Sequence, residues 1–233
     1  MATVYLIPAP LQEGVMTPIP AYIRESVLHC NTFFAENERT VRRYFKKLDP
    51  SIIIDDYEWV GMKEVTAEVR EKFIQQIRLN KTIGIVSEAG CPGIADPGQE
   101  LVAIAHQLKA TIKPLVGPSS IFLALMASGF NGQQFSFHGY LPVEETARDK
   151  KIRQLEELSS KNNTTQIFIE TPYRNQKLFE AILRNCNANT RLCVAADITG
   201  TNESIISKSV TEWRGGAIPE LHKRQVIFLI YRG

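Results

Sequence analysis

The chain has 233 residues, with 27 Lys and Arg against 25 Asp and Glu for a formal charge of +2, and 44% of its residues are hydrophobic. This balance excludes intrinsic disorder, which needs low hydrophobicity and high net charge. It also excludes nucleic-acid binding driven by overall charge, which needs a strongly basic domain.

Short strand-like runs come first. Residues 3–7 (TVYLI), 32–36 (TFFAE), 51–55 (SIIID), 82–86 (TIGIV) and 111–115 (TIKPL) are short and rich in β-branched or aromatic residues, and read as strands. Amphipathic stretches lie between them. Ile23, Val27 and Cys30 share one helical face, Val69, Phe73 and Ile77 another, and Leu101, Ile104, Ala105 and Leu108 a third. Strands alternating with helices predict a parallel sheet with right-handed crossovers, covered on both faces. Asp96 stands where an N-cap belongs, with Pro97 at the first helical position and Gln99 at capping-box spacing.

A second set of strands is expected at 135–139, 165–169, 191–195, 204–210 and 225–231, with helices at 151–158 and 175–183. No helical pattern separates the last two strands, which predicts antiparallel pairs in this half. The Gly- and Pro-containing stretch 116–120 marks the boundary. The expected fold is therefore α/β in two domains: an N-terminal parallel sheet with flanking helices over residues 1–116, and a C-terminal mixed sheet over residues 117–233.

The longest purely apolar run, residues 121–127, falls far short of the ~20 residues a bilayer span requires. The opening MATVYLIPAP has neither a basic region nor a small-residue cleavage site, so a soluble cytoplasmic protein is expected, with no membrane partner. Cys30, Cys91, Cys186 and Cys193 are too few for a disulfide scaffold and lack paired ligand spacing, so no metal is expected. Two basic runs stand out, Arg39-Arg42-Arg43-Lys46-Lys47 and Arg148-Lys150-Lys151-Arg153; each is either a local nucleic-acid contact or a solvated helix face.

Open α/β sheets bind ligands beyond the carboxyl ends of their strands, so those loops carry the chemistry. They read Pro8 to Gly14, Asn37-Glu38-Arg39, Ser87 to Gly98, Val116 to Ser120, and Glu170-Thr171-Pro172-Tyr173-Arg174. Gly, Pro, Ser and Ala leave backbone groups exposed for a ligand, and carbonyls with a carboxylate suit a cationic or amine-bearing one. The G-x-G-x-x-G, P-loop, G-x-S-x-G and H-E-x-x-H patterns are absent. Of the histidines only His138, beside Gly139-Tyr140 at a strand end, merits a test, and Cys91 reads as a small loop residue rather than a nucleophile.

Together these loops resemble the tetrapyrrole methylase superfamily of S-adenosylmethionine-dependent methyltransferases, and within it the small-subunit ribosomal RNA 2'-O-ribose cytidine branch. The resemblance rests on YLIPAP, AENER, SEAGCPGIADPG, PLVGPSS, FHGYLP and ETPYR, in that order from the N-terminus. It implies a cofactor cleft between two α/β domains, S-adenosyl-L-methionine as cofactor, and a homodimer. The cofactor residues it implies are Leu11, Ala89, Gly90, Cys91, Ile94, Ser119 and Ser120, then Glu170 with Thr171, Ala196, Gln225 and Val226. The chain also departs from the branch. It has Ala195-Ala196-Asp197-Ile198-Thr199-Gly200 for A-R-E-L-T-K, His222-Lys223-Arg224-Gln225 for R-K-G-E, and Leu11-Gln12-Glu13-Gly14 for I-G-N-L.

A ribose hydroxyl is a poor nucleophile until its proton is removed, so a general base is expected. Glu170 and then Glu36 are the first candidates among the strand-end carboxylates, which also include Glu88 and Asp197. Arg39 and Arg174 are expected to grip RNA phosphate, or else to pair with a nearby carboxylate. Three readings follow: methylation of small-subunit ribosomal RNA, with that RNA or the small subunit as partner; methylation of a small molecule such as a tetrapyrrole; and a cofactor-binding module without catalysis.

Overall fold

The computed structural model describes residues 1–233, which divide into two compact units, Met1–Ser119 and Ser120–Gly233. The divide falls inside the Gly/Pro/Ser stretch singled out above. No helix is long and apolar enough to cross a membrane.

The first unit runs β1 (Thr3–Ile7), α1 (Ile23–Leu28), β2 (Thr32–Ala35), α2 (Glu38–Leu48), β3 (Glu58–Gly61), α3 (Ala67–Arg78), β4 (Thr82–Val86), α4 (Gly98–Gln107) and β5 (Thr111–Pro114). Its five strands are all parallel, in the order β3-β2-β4-β1-β5. Period-two alternation sends neighbouring side chains to opposite faces. Phe34, Ile83 and Ile85 pack with Phe73 and Ile77 of α3 and Leu101 of α4. Phe33, Ile7 and Val86 pack with Val27 of α1 and Phe45 of α2. The chain therefore winds out from β1 to β3 with helices on one face and returns to β5 with helices on the other. Neighbouring β1 and β4 send their following helices to opposite faces, which is the topological switch point where such sheets open a crevice.

Gly84 makes this packing possible. A Cβ there would sit 2.5 Å from Phe33 Cδ1 and 2.9 Å from Ile7 Cδ1, so only glycine leaves room for the Phe33 ring against β4.

The second unit runs α5 (Ser120–Ser128), β6 (Phe135–Tyr140), α6 (Glu145–Asn162), β7 (Thr165–Ile169), α7 (Asn175–Asn185), β8 (Arg191–Ala196), β9 (Ser204–Ser209), α8 (Val210–Gly215) and β10 (Val226–Tyr231). Its sheet is mixed, in the order β6-β7-β10-β8-β9: β6 and β7 are parallel, and the remaining neighbours antiparallel. One core gathers Phe168, Phe179, Trp213 and Phe228. The expected fold class holds in both units.

Three local expectations are corrected. Residues 51–55 are not a strand: Ile52 dives into the core, Ile53 is 59% exposed, and a 3₁₀ turn follows at Ile54–Asp56. The strand comes later, as β3, where Trp59 and Val60 pair with β2. A helix, α8, does separate the last two strands; Ser209 and Glu212 form its reciprocal capping box. Finally, α4 begins at Gly98 rather than Pro97, and the Asp96 carboxylate receives the Gly98 N–H at 2.7 Å with no Gln99 capping box.

Candidate functional site

In the first unit the loops after β1, β4 and β5 are pinned to one another. Ala9 and Gly90 exchange both backbone hydrogen bonds, at 2.9 and 3.0 Å, as an isolated antiparallel bridge. Gly90 has φ +75°, and a Cβ there would lie 3.3 Å from Leu11 Cδ2 and 3.5 Å from the Pro118 carbonyl. A Cβ on Gly117 would strike Pro8. The Ser87 hydroxyl donates to the Gly90 carbonyl at 3.2 Å, and the Cys91 thiol to the Pro118 carbonyl at 3.4 Å. Burial, reinforced by the Asp96 charge, raises the Cys91 pKa, which makes it a packing group and a weak nucleophile.

Asp96 organises the rest of the turn. Its Oδ1 accepts from the Gly93 and Gly98 N–H groups at 2.8 and 2.7 Å, while its buried Oδ2 has no hydrogen-bond partner. Burial raises its pKa and the nearby Glu36 charge raises it further, against the two backbone bonds that lower it. The loop after β2 joins this edge through Glu36, whose Oε2 accepts the Glu88 N–H at 2.8 Å. Asn37 caps α2 by accepting from Thr40 N–H, and its amide donates to Glu88 Oε1 at 3.1 Å.

The first unit thus gathers Leu11, Ala89, Gly90, Cys91, Ser119 and Glu36 on loops at one sheet edge. Leu11 and Gly90 are buried, Ala89 and Ile94 exposed, and Arg39 stands exposed in the first turn of α2.

In the second unit three further loops meet at one end of the mixed sheet. Glu170 follows β7, and its buried Oε1 accepts from Thr171 N–H at 2.6 Å and from Arg174 Nε and a terminal nitrogen at 3.0 and 2.7 Å. Arg174 is therefore paired with Glu170. Ala196 ends β8 and is paired with Val226 at the start of β10. Asp197, in the left-handed region at φ +50°, donates its N–H to the Gln225 carbonyl at 2.8 Å, accepts the Gln225 N–H on its side-chain Oδ1 at 3.1 Å, and holds Arg224 Nε at 2.6 Å through Oδ2. Asn175 donates to the Arg224 carbonyl at 2.7 Å, and Lys223 N–H to the Pro172 carbonyl at 3.0 Å. Ser120 opens α5.

Two positions that depart from the ribosomal-branch pattern, Asp197 and Arg224, are partners in this ion pair. The arginine guanidinium also reaches the Asn202 carbonyl at 2.5 Å, so it is engaged within its own unit.

His138 is not bonded to these loops. Its Nε2 meets Gln166 Oε1 at 2.7 Å, and burial lowers its pKa against that hydrogen bond, which raises it. Sequence reasoning placed Asp96 as a helix cap and missed its orphaned oxygen; only the D-P-G spacing hinted at a turn organiser.

A parallel sheet with pinned Gly/Pro turns at its switch point, followed by a mixed sheet with clustered strand-end loops, defines a two-unit α/β protein of the class whose sheets bind ligands beyond their strand ends. The family model for Tetrapyrrole (Corrin/Porphyrin) Methylases matches residues 19–213, and the chain belongs to that family. It is 34% identical over 131 residues to ribosomal RNA small subunit methyltransferase I of Vibrio cholerae, covering 56% of this chain and 44% of that protein. The protein of the same name from Mycobacterium tuberculosis strain H37Rv is 28% identical over 190 residues, 79% of this chain and 64% of that one. The chain thus spans less than two thirds of the length of these relatives. Among solved structures, the methyltransferase CobJ is similar at TM-score 0.64 with 14% identity, covering 99% of this chain and 93% of that one. A uroporphyrin-III C-methyltransferase from Thermus thermophilus complexed with S-adenyl homocysteine is similar at TM-score 0.56 with 15% identity, covering 99% and 98%.

Proposed function

We propose that this chain is an S-adenosylmethionine-dependent methyltransferase whose acceptor is a ribose 2'-hydroxyl of small-subunit ribosomal RNA, working in the cytoplasm as a homodimer. The family match and the relatives named for ribosomal RNA methylation support the reaction and the acceptor. The single observation that carries the cofactor is the pinned turn at the β1/β4 switch point. Its exposed backbone, its glycine approach at Gly90 and the unpartnered buried Asp96 Oδ2 offer acceptors for a ligand bearing positive charge and N–H donors. The residues present therefore fit S-adenosylmethionine. Leu11, Ala89, Gly90, Cys91, Ile94 and Ser119 would hold it from the first unit; Ser120, Thr171, Ala196, Gln225 and Val226 are proposed with them from the second.

When bound, that cofactor supplies an already activated methyl group. The chain's own work is alignment, exclusion of water and removal of one proton. Glu36 is the better proton acceptor: the Glu88 N–H fixes its Oε2 and leaves Oε1 for a hydroxyl. Glu170 carries three hydrogen bonds on one oxygen, two from Arg174, so it serves better as the anchor of its loop.

The test gives the purified chain radiolabelled cofactor and small subunits lacking the modification. Label is expected in RNA, and Glu36→Gln should cut the rate about 100-fold or more. Label in a tetrapyrrole instead, or cofactor uptake with no label in any acceptor, would replace this reading by one of the other two.

A further inference from the structure

We infer that one face of α2 is a docking track for the phosphate backbone of RNA. The inference rests on the RNA-methylating reading above and adds where the substrate's backbone is held. Arg39, Arg42, Arg43, Lys46 and Lys47 recur at the i, i+3, i+4, i+7, i+8 spacing that puts them on one side of a helix, opposite the buried Val41, Tyr44 and Phe45. Only one carboxylate, Glu38, interrupts the helix. The stripe is about 12 Å long at 1.5 Å per residue. The aliphatic stems of Arg42, Arg43, Lys46 and Lys47, with Ile54, line an open concavity of about 400 Å³.

The anions that face the stripe are few and loosely held. Glu38 pairs with Arg42 at 3.0 Å and Glu13 with Arg43 at 3.1 Å, and all four side chains are more than a third exposed. Exposed pairs of this kind contribute little, so a phosphate can replace either carboxylate. Lys46 donates to the Pro50 carbonyl, and neither Arg39 nor Lys47 has a carboxylate partner. Arg42 is held over the Trp59 ring at 4.9 Å, which keeps its guanidinium at a set place along the track. The stripe also has a direction. It begins with Arg39, three residues after Glu36, so the cations lead away from the sheet edge that carries the candidate base.

A repeating line of cations suits a linear polyanion. A membrane surface would want an apolar anchor alongside the charge, and Ile54 alone does not supply one. The overall charge of +2 makes such a patch stand out, because affinity for RNA has to come from somewhere local.

The experiment titrates the full chain onto deproteinised small-subunit RNA from about 50 to about 200 mM salt, wild type against Lys46→Gln/Lys47→Gln. The dissociation constant should rise about five- to tenfold, and the slope of log K against log salt should shrink by about 0.7 to 0.9 for each phosphate that is no longer neutralised. Lys46→Arg/Lys47→Arg should restore both, since it keeps the charges that also favour the C-terminal turn of the helix. Unchanged affinity and slope in the glutamine variant would overturn the inference, as would a weakening that the arginine variant does not rescue. Binding that needs ribosomal protein and ignores naked RNA would overturn it in favour of an acidic protein surface. Methyl transfer separates the two claims. RNA bound through the stripe but never methylated sinks the enzyme reading and leaves the track; methylation at subsaturating RNA that is indifferent to Lys46 and Lys47 sinks the track and leaves the reading.

Discussion

Asp96 holds its turn with one carboxylate oxygen and leaves the other for the proposed ligand. Its Oδ1 ties Gly93 and Gly98 together, while its Oδ2 is buried without a partner, a costly arrangement unless a ligand completes it. Asn at this position keeps an acceptor for both N–H groups but removes the charge. Asp96→Asn should therefore keep the melting temperature within a few degrees while weakening cofactor uptake measured by calorimetry. Asp96→Ala loses both bonds and should cost about 1–3 kcal/mol by denaturant titration. Equal uptake by all three forms would show that the orphaned oxygen has no part in binding. The buried thiols belong to the opposite class: burial pushes Cys186 and Cys193 up to about 12, which marks them as core residues rather than reagents.

Among the elements, α8 shows how a short helix is made by its ends. Six residues cannot sustain a helix on propensity alone. Ser209 accepts the Glu212 N–H, the Glu212 carboxylate accepts from Ser209, and the Trp213 indole donates to the Leu192 carbonyl at 3.0 Å from within the core. Ser209→Ala should cost about 1 kcal/mol in a denaturant melt. Hydrogen bonds from Ser209 depress the Glu212 pKa. A depressed carboxylate stabilises the fold above its unfolded pKa and loses that contribution as pH falls through the folded value. Ser209→Ala should therefore also flatten the acid limb of the stability profile. A full-size acid limb in that variant would mean the Ser209 hydroxyl contributes nothing through the Glu212 charge.

At the scale of the whole molecule, each unit has its own sheet and its own core. Phe33, Phe34, Phe45 and Phe73 are buried within the first, and Phe168, Phe179, Trp213 and Phe228 within the second. Cores of this kind are what let a domain fold alone. Expressed separately, Met1–Ser119 and Ser120–Gly233 should each melt cooperatively, with dispersed amide resonances. Either piece behaving as a molten chain would show that it borrows stability from the other.

Alternating short apolar runs and helical faces are local signals, and they were enough to predict most strands and the parallel first sheet; the antiparallel pairs in the second are present, but the missing helix from which they were expected is there as α8. The positions of the strand-end loops with Gly90, Asp96 and Glu170 were legible because they follow directly from the strands. The run at 51–55 misled because three isoleucines mimic a strand, while Ile52 and Ile54 reach the core from a turn and Ile53 faces out. Strand order has no local signature. That β1 lies beside β4 follows from packing on both faces, down to the missing Cβ of Gly84 beneath Phe33, and this adjacency is what brings Ala9 to Gly90. Pairings across long sequence distance, such as Glu36 with Glu88 or Arg224 with Asp197, likewise arise only when folding brings distant loops to one edge, since no periodicity records which neighbour a side chain will meet.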